Sequence, residues 1–88
     1  MRRTSLGPFP LTRIMTAMTI KNRIRIFRFE KRMTQEELAV RVGVSRQTIM
    51  SVENGYTTPS VLLAFKIGMA LEAPVTDVFS VEGRLVPI

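Results

Sequence analysis

Residues 34–55 read TQEELAVRVGVSRQTIMSVENG. Thr34, with Glu37 three residues on, is a capping box. The Thr hydroxyl takes a backbone N–H of the new helix, and the Glu carboxylate reaches back to the cap. Leu38, Ala39 and Val42 then give that helix a buried face. Gly43 stops it by taking a left-handed backbone. Ser45 is the N-cap of a following helix, which runs to about Asn54 with Ile49 and Val52 inward, and Gly55 ends it. Two short helices joined by a tight Gly-containing turn make a helix-turn-helix. The crossing needs a small residue, met by Ala39, and apolar locks, met by Leu38, Val42, Ile49 and Val52.

The outward residues of the second of these helices are Arg46, Gln47, Met50 and Ser51, with Thr48 near its start. Their donors and acceptors complement those on major-groove base edges: Arg pairs with guanine, Gln with adenine. The polar cluster therefore reads as a reading head, and the preceding helix sets its angle.

Working outward, Ile20, Ile24 and Phe27 recur at helical spacing. They predict a first helix from Ile20 to near Arg32, with a basic stripe of Lys21, Arg25, Arg28 and Arg32 beside the apolar face. On the other side, Thr58 as cap and Pro59 as first helical residue predict a fourth helix. Val61, Ala64, Phe65, Gly68 and Leu71 are expected as its inner face, and Pro74 breaks it. Thr76 is expected to cap a last short helix through Phe79. The expected organisation is a flexible tail over residues 1–18, a DNA-binding domain over 19–82 and a C-terminal tail over 83–88. Gly7-Pro8-Phe9-Pro10 resists helix and strand alike, and Met15 and Met18 are plausible alternative starts.

The chain has 88 residues, 45% of them apolar, enough for one small domain with its own core. It has no Cys and no His, which removes disulfides, thiolate metal sites and the commonest general base and zinc ligand. Glu36 and Glu37 are adjacent on a helix and diverge, and there is no Gly-rich phosphate loop. An enzyme is not expected, nor is a metal or other cofactor. Residues 1–50 hold eleven Lys/Arg and three Asp/Glu, residues 51–88 two and four, and the net charge is +6. A basic half on a small domain points to a polyanion partner. No apolar run reaches the roughly 18–20 residues that span a bilayer. Pro8, Pro10 and Arg13 interrupt any signal-peptide core. A cytoplasmic protein with no membrane partner is expected.

TQEELA, GVSRQTI and ENG stand in register, followed by Pro59-Ser60 and LAFKIG over residues 63–68. Across roughly residues 21–80 the chain resembles the Cro/C1-type, or XRE, helix-turn-helix regulators, closest to their small single-domain members. The resemblance implies an all-α, compact five-helix, lambda-repressor-like fold. It also implies a transcriptional regulator, expected to be a repressor, that binds an inverted-repeat operator in double-stranded DNA as a homodimer. Base contacts are implied for Arg46, Gln47, Thr48 and Ser51. Phosphate contacts are implied for Gln35, Asn54 and Tyr56. Ser45 joins these as a helix start whose N–H groups can reach a phosphate, although its first role is as a cap. Arg28 and Glu53 match a family ion pair between the first and third helices.

The chain departs from the family pattern in places. Arg32 stands where relatives often carry Gly. Ile26, Phe29 and Leu62 are apolar where relatives carry polar residues, which suggests a patch for a partner subunit or a second protein, or one covered by residues 1–18. An antitoxin, or another protein-interaction module on the same fold, is thus the alternative reading. The terminal RLVPI, residues 84–88, is a candidate edge strand across a dimer, limited by Pro87.

Overall fold

In the computed structural model, which describes residues 15–16, 18–83 and 85–86, nine elements follow one another. They are β1 (Met15–Thr16), β2 (Thr19–Asn22), α1 (Ile24–Glu30), α2 (Gln35–Val42), α3 (Arg46–Glu53), α4 (Val61–Leu71), α5 (Val75–Val78), β3 (Phe79–Glu82) and β4 (Leu85–Val86). The remaining parts of the two expected tails lie outside the described residues.

Local signals fix the start of α2. Thr34 Oγ1 accepts the Glu37 N–H at 3.0 Å, and Glu37 Oε1 accepts the Thr34 N–H at 2.8 Å. Gly43 closes the helix at φ 78°. Its N–H and that of Val44 both donate to the Ala39 carbonyl, at 2.9 and 3.0 Å. This turn lays α3 across α2 with Leu38, Ala39, Val42, Ile49 and Val52 buried between them. The core extends through Ile24 of α1, Ile67 and Leu71 of α4 and Val78 of α5, all fully buried. Each such Ile or Leu contributes about 1.5–3 kcal/mol relative to exposure.

The first helix starts later than its periodicity predicts. Residues 19–22 are a strand, because β3, far along the chain, supplies hydrogen-bonding partners that the local sequence does not reveal. Asn22 then turns the chain into α1: its Oδ1 accepts the Ile24 N–H at 3.1 Å. The β1–β4 and β2–β3 ladders are antiparallel and share one register, since paired residue numbers add to 101 throughout. Leu85 and Val86 therefore pair with Thr16 and Met15 of their own chain. The five helices stand in their expected order, and this ribbon is added to them.

Three helix ends also differ. Arg32 has φ 54°, so the turn after α1 keeps a left-handed residue where a Gly would relieve it, and Arg32 bears that strain. α4 is capped by Ser60, whose Oγ accepts the Leu63 N–H at 3.0 Å, so Thr58 is not the cap and Pro59 lies outside the helix. α5 starts after Pro74 without a side-chain cap and ends at Val78, because Phe79 already belongs to β3. Val61 and Phe65, expected inside, are exposed, and Ile67 takes the central inward position instead.

Candidate nucleic-acid interface

α3 begins with its donors and acceptors displayed. Ser45 Oγ accepts the Thr48 N–H at 3.1 Å and lies 3.0 Å from Thr48 Oγ1, so the cap also orients the Thr48 hydroxyl. Arg46 and Gln47 follow in the first turn, both exposed. Among the described residues neither side chain is engaged in a hydrogen bond or ion pair. One turn on, Met50 and Ser51 are half-buried. The Ser51 hydroxyl is hydrogen-bonded to that of Thr57, and the Ser51 carbonyl accepts the Tyr56 and Thr57 N–H groups at 2.9 and 3.3 Å. Ser51 thus spends its polar groups on the loop that follows the helix. That loop leaves the Asn54 and Tyr56 side chains exposed. Arg46 and Gln47 mark the start of the helix, and Asn54 and Tyr56 mark its exit.

Behind this surface sits a buried carboxylate. The Glu53 side chain is 1% exposed. Arg28 reaches it from α1, with Nη2 2.8 Å from Oε2 and Nε 3.3 Å from Oε1. Arg28 Nη1 also donates to the Met33 carbonyl at 2.9 Å. Arg25 Nε lies 3.1 Å from Oε2, and Gln35 Nε2 donates to Oε1 at 3.1 Å. Burial pushes the Glu53 carboxyl up. Hydrogen bonds from Arg28, Gln35 and Arg25, together with the Arg28 charge, outweigh that and hold it below its ordinary value. One acid therefore ties the end of α3 to both α1 and the start of α2. Gln35 is part of this knot, which fixes the first residue of α2 against the last of α3.

The sequence alone did not reveal Arg25 and Gln35 as partners of Glu53. Nor did it reveal Asn22, whose Nδ2 donates to the Val52 and Glu53 carbonyls at 3.1 and 3.4 Å. These carbonyls end α3; that of Val52 also accepts the Gly55 N–H at 3.1 Å, and Asn22 adds a side-chain donor to both. The Asn22 contact spans 30 residues, so no local pattern carries it. An exposed basic or polar residue also precedes or flanks each of these contacts: Lys21, Arg23 and Arg25 lie along β2 and the start of α1.

The arrangement offers hydrogen-bond donors and a positive charge at the exposed start of α3. Among the described residues, no group of three or more His, Cys, Asp or Glu converges to hold a metal ion. No helix among them is long and apolar enough to cross a membrane.

A helix-turn-helix family model matches residues 24–78, from the start of α1 to the end of α5. The chain belongs to the Cro/C1-type (XRE) helix-turn-helix family. Two archaeal relatives place this XRE domain among small proteins. An uncharacterized HTH-type transcriptional regulator of Archaeoglobus fulgidus is 48% identical over 60 residues, 68% of this chain and 84% of the relative. Another, of Methanocaldococcus jannaschii, is 43% identical over 63 residues, 72% of this chain and 96% of the relative. Among solved structures, the restriction-modification controller protein C.AhdI of Aeromonas hydrophila superposes with a TM-score of 0.59 at 30% identity, over 61% of this chain and 82% of that one. The XRE match covers every helix and stops short of the ribbon.

Proposed function

We propose that this protein is a sequence-specific transcriptional regulator that binds an inverted-repeat operator in double-stranded DNA as a homodimer, and that it acts as a repressor in the cytoplasm. The carrying observation is the pair Arg46 and Gln47, exposed on the first turn of α3, the second helix of a helix-turn-helix that the Glu53 cluster ties to α1. In this reading Arg46 and Gln47 contact base edges, and Thr48 and Ser51 flank them. Gln35, Ser45, Asn54 and Tyr56 contact phosphates, with the first-turn N–H groups of α2 and α3 adding donors. The net charge of +6 supplies the salt-dependent attraction to the phosphates. The protein works by binding, without turnover and without a cofactor. A small dimer represses by occupying a site that polymerase needs.

Selection from a random duplex library at near-physiological salt tests this. The expected result is an enriched inverted repeat with half-site centres about 10 bp apart, or a multiple of that. Weak, salt-sensitive binding with no enriched sequence overturns it. A second reading, an antitoxin-like module that docks another protein, draws on the exposure of Ile26, Phe29 and Leu62. Copurification of a second chain that is lost on Phe29→Glu would favour it.

A further inference from the structure

We propose that the outward face of α4 is the surface on which two copies of this chain meet. The inference rests on the dimeric reading above and goes beyond it by naming the face. α4 reads VLLAFKIGMAL, and Lys66 is its one charged or polar side chain. A helix that is apolar all round is a buried helix, yet only one side of α4 is buried in the protomer, the side carrying Ile67, Gly68 and Leu71. At 100° per residue, Val61, Phe65, Met69 and Leu62 share a continuous arc of about 100°, centred about 120° round the helix from the buried side. They are 75, 52, 77 and 65% exposed, respectively.

Three features fit a second copy as the occupant. The first is area. Packing this arc against its own image removes on the order of 1,000 Å² of surface in total, the threshold for a specific interface. The second is charge. Two chains of net charge +6 repel one another, which favours contact through uncharged surface; these four positions carry no charge, and the exposed Lys66 lies at the edge of the arc. The third is self-complementarity. Phe65 sits near the middle of the arc, with Leu62 three residues before it and Met69 four after. A twofold axis at Phe65 sets two α4 helices antiparallel, with Val61 of each copy opposite Met69 of the other. The face also lies directly after the loop that bears Asn54 and Tyr56, so the contact joins two reading helices through a short, stiff path.

The test is sedimentation equilibrium of the full chain without DNA, which keeps it separate from operator recognition. The expected mass is that of two chains. Leu62→Glu combined with Phe65→Glu is expected to give the mass of one chain with an unchanged helical circular dichroism spectrum. Met69→Lys, at the far end of the arc and the most exposed of the four, is expected to weaken the dimer by more than about tenfold. It decides the matter if the double variant fails to fold. A wild type of one-chain mass at all concentrations overturns the proposal, whatever the library selection shows. So does a two-chain mass that persists in folded Met69→Lys and in the double variant. That second result moves the interface to the ribbon, where Ile20 and Val81 form an exposed cross-strand pair. If selection fails while these masses come out as expected, the operator reading falls and the α4 interface stands.

Discussion

α3 and α4 are built alike and finished differently. Each starts with a Ser whose hydroxyl takes the N–H three residues on: Ser45 for Thr48, Ser60 for Leu63. Each buries one apolar side in the same core. Beyond that they diverge. The outer side of α3 carries Arg46, Gln47 and Thr48; the outer side of α4 carries Val61, Leu62, Phe65 and Met69. Their C-terminal acids differ as well. Glu53 at the end of α3 is buried under three partners, while Glu72, the residue after α4, makes one exposed pair with Lys31 at 2.8 Å. One helix is locked from behind and presents hydrogen-bonding groups. The other is packed on one side only and presents hydrocarbon. The same local rules thus produce two helices whose outer sides differ in chemistry, hydrogen-bonding on α3 and hydrocarbon on α4.

The largest expected effect comes from removing the lock. Glu53→Ala leaves Arg28 as a buried charge without its partner and is expected to cost about 3–5 kcal/mol in a urea titration. Glu72→Ala, the matching change after α4, is expected to leave the midpoint unchanged. Equal losses would erase the contrast. The same carboxyl predicts a pH dependence. Its folded pKa lies below its ordinary value near 4.5, so the stability it contributes is complete above that value and is lost as pH falls through the folded pKa. Urea midpoints between pH 7 and 3 are expected to fall in this window, and the fall is expected to be smaller in Glu53→Gln.

Next come the outer faces. Arg46→Ala is expected to lose about 1–3 kcal/mol on a selected operator and much less on random duplex, measured by fluorescence anisotropy. Lys66→Ala removes the same charge from α4 and is expected to shift both duplexes equally and slightly. Equal loss on every sequence for Arg46→Ala would remove its base-reading role.

The smallest effects separate the caps. Ser45→Ala and Ser60→Ala are each expected to cost about 1 kcal/mol of stability, read by thermal unfolding. Ser45→Ala should also weaken operator binding at a temperature where both variants are fully folded. A drop of the same size for Ser60→Ala would show that the α3 cap acts through stability alone.

How far the sequence could be read follows from the range of each signal. The capping box, the Gly43 turn and the inner faces of α2 and α3 rest on residues within a few positions of one another, and these are the parts that read correctly. α4 could be placed but not phased. With apolar residues on every side, periodicity cannot choose between a face holding Phe65 and one holding Ile67, and the expected inward face with Val61 and Phe65 is the exposed one. β2 resembled a helix start because Ile20 continues the spacing of Ile24 and Phe27, and its partner lies some 60 residues away. The exposed Arg46 and Gln47 stand out in the sequence as part of a polar cluster. The Arg25, Gln35 and Asn22 contacts behind them do not, since each needs the folded chain to bring its members together.

The shared register of the two ladders has a mechanical consequence. Met15 and Val86 sit at the same open end of an antiparallel ribbon. A load applied between them peels the ladder one rung at a time, from Met15–Val86 toward Asn22–Phe79. The last rung holds Asn22, whose amide grips the final carbonyls of α3. Tension on the two ends is therefore spent as slack in the ribbon before any of it reaches α3.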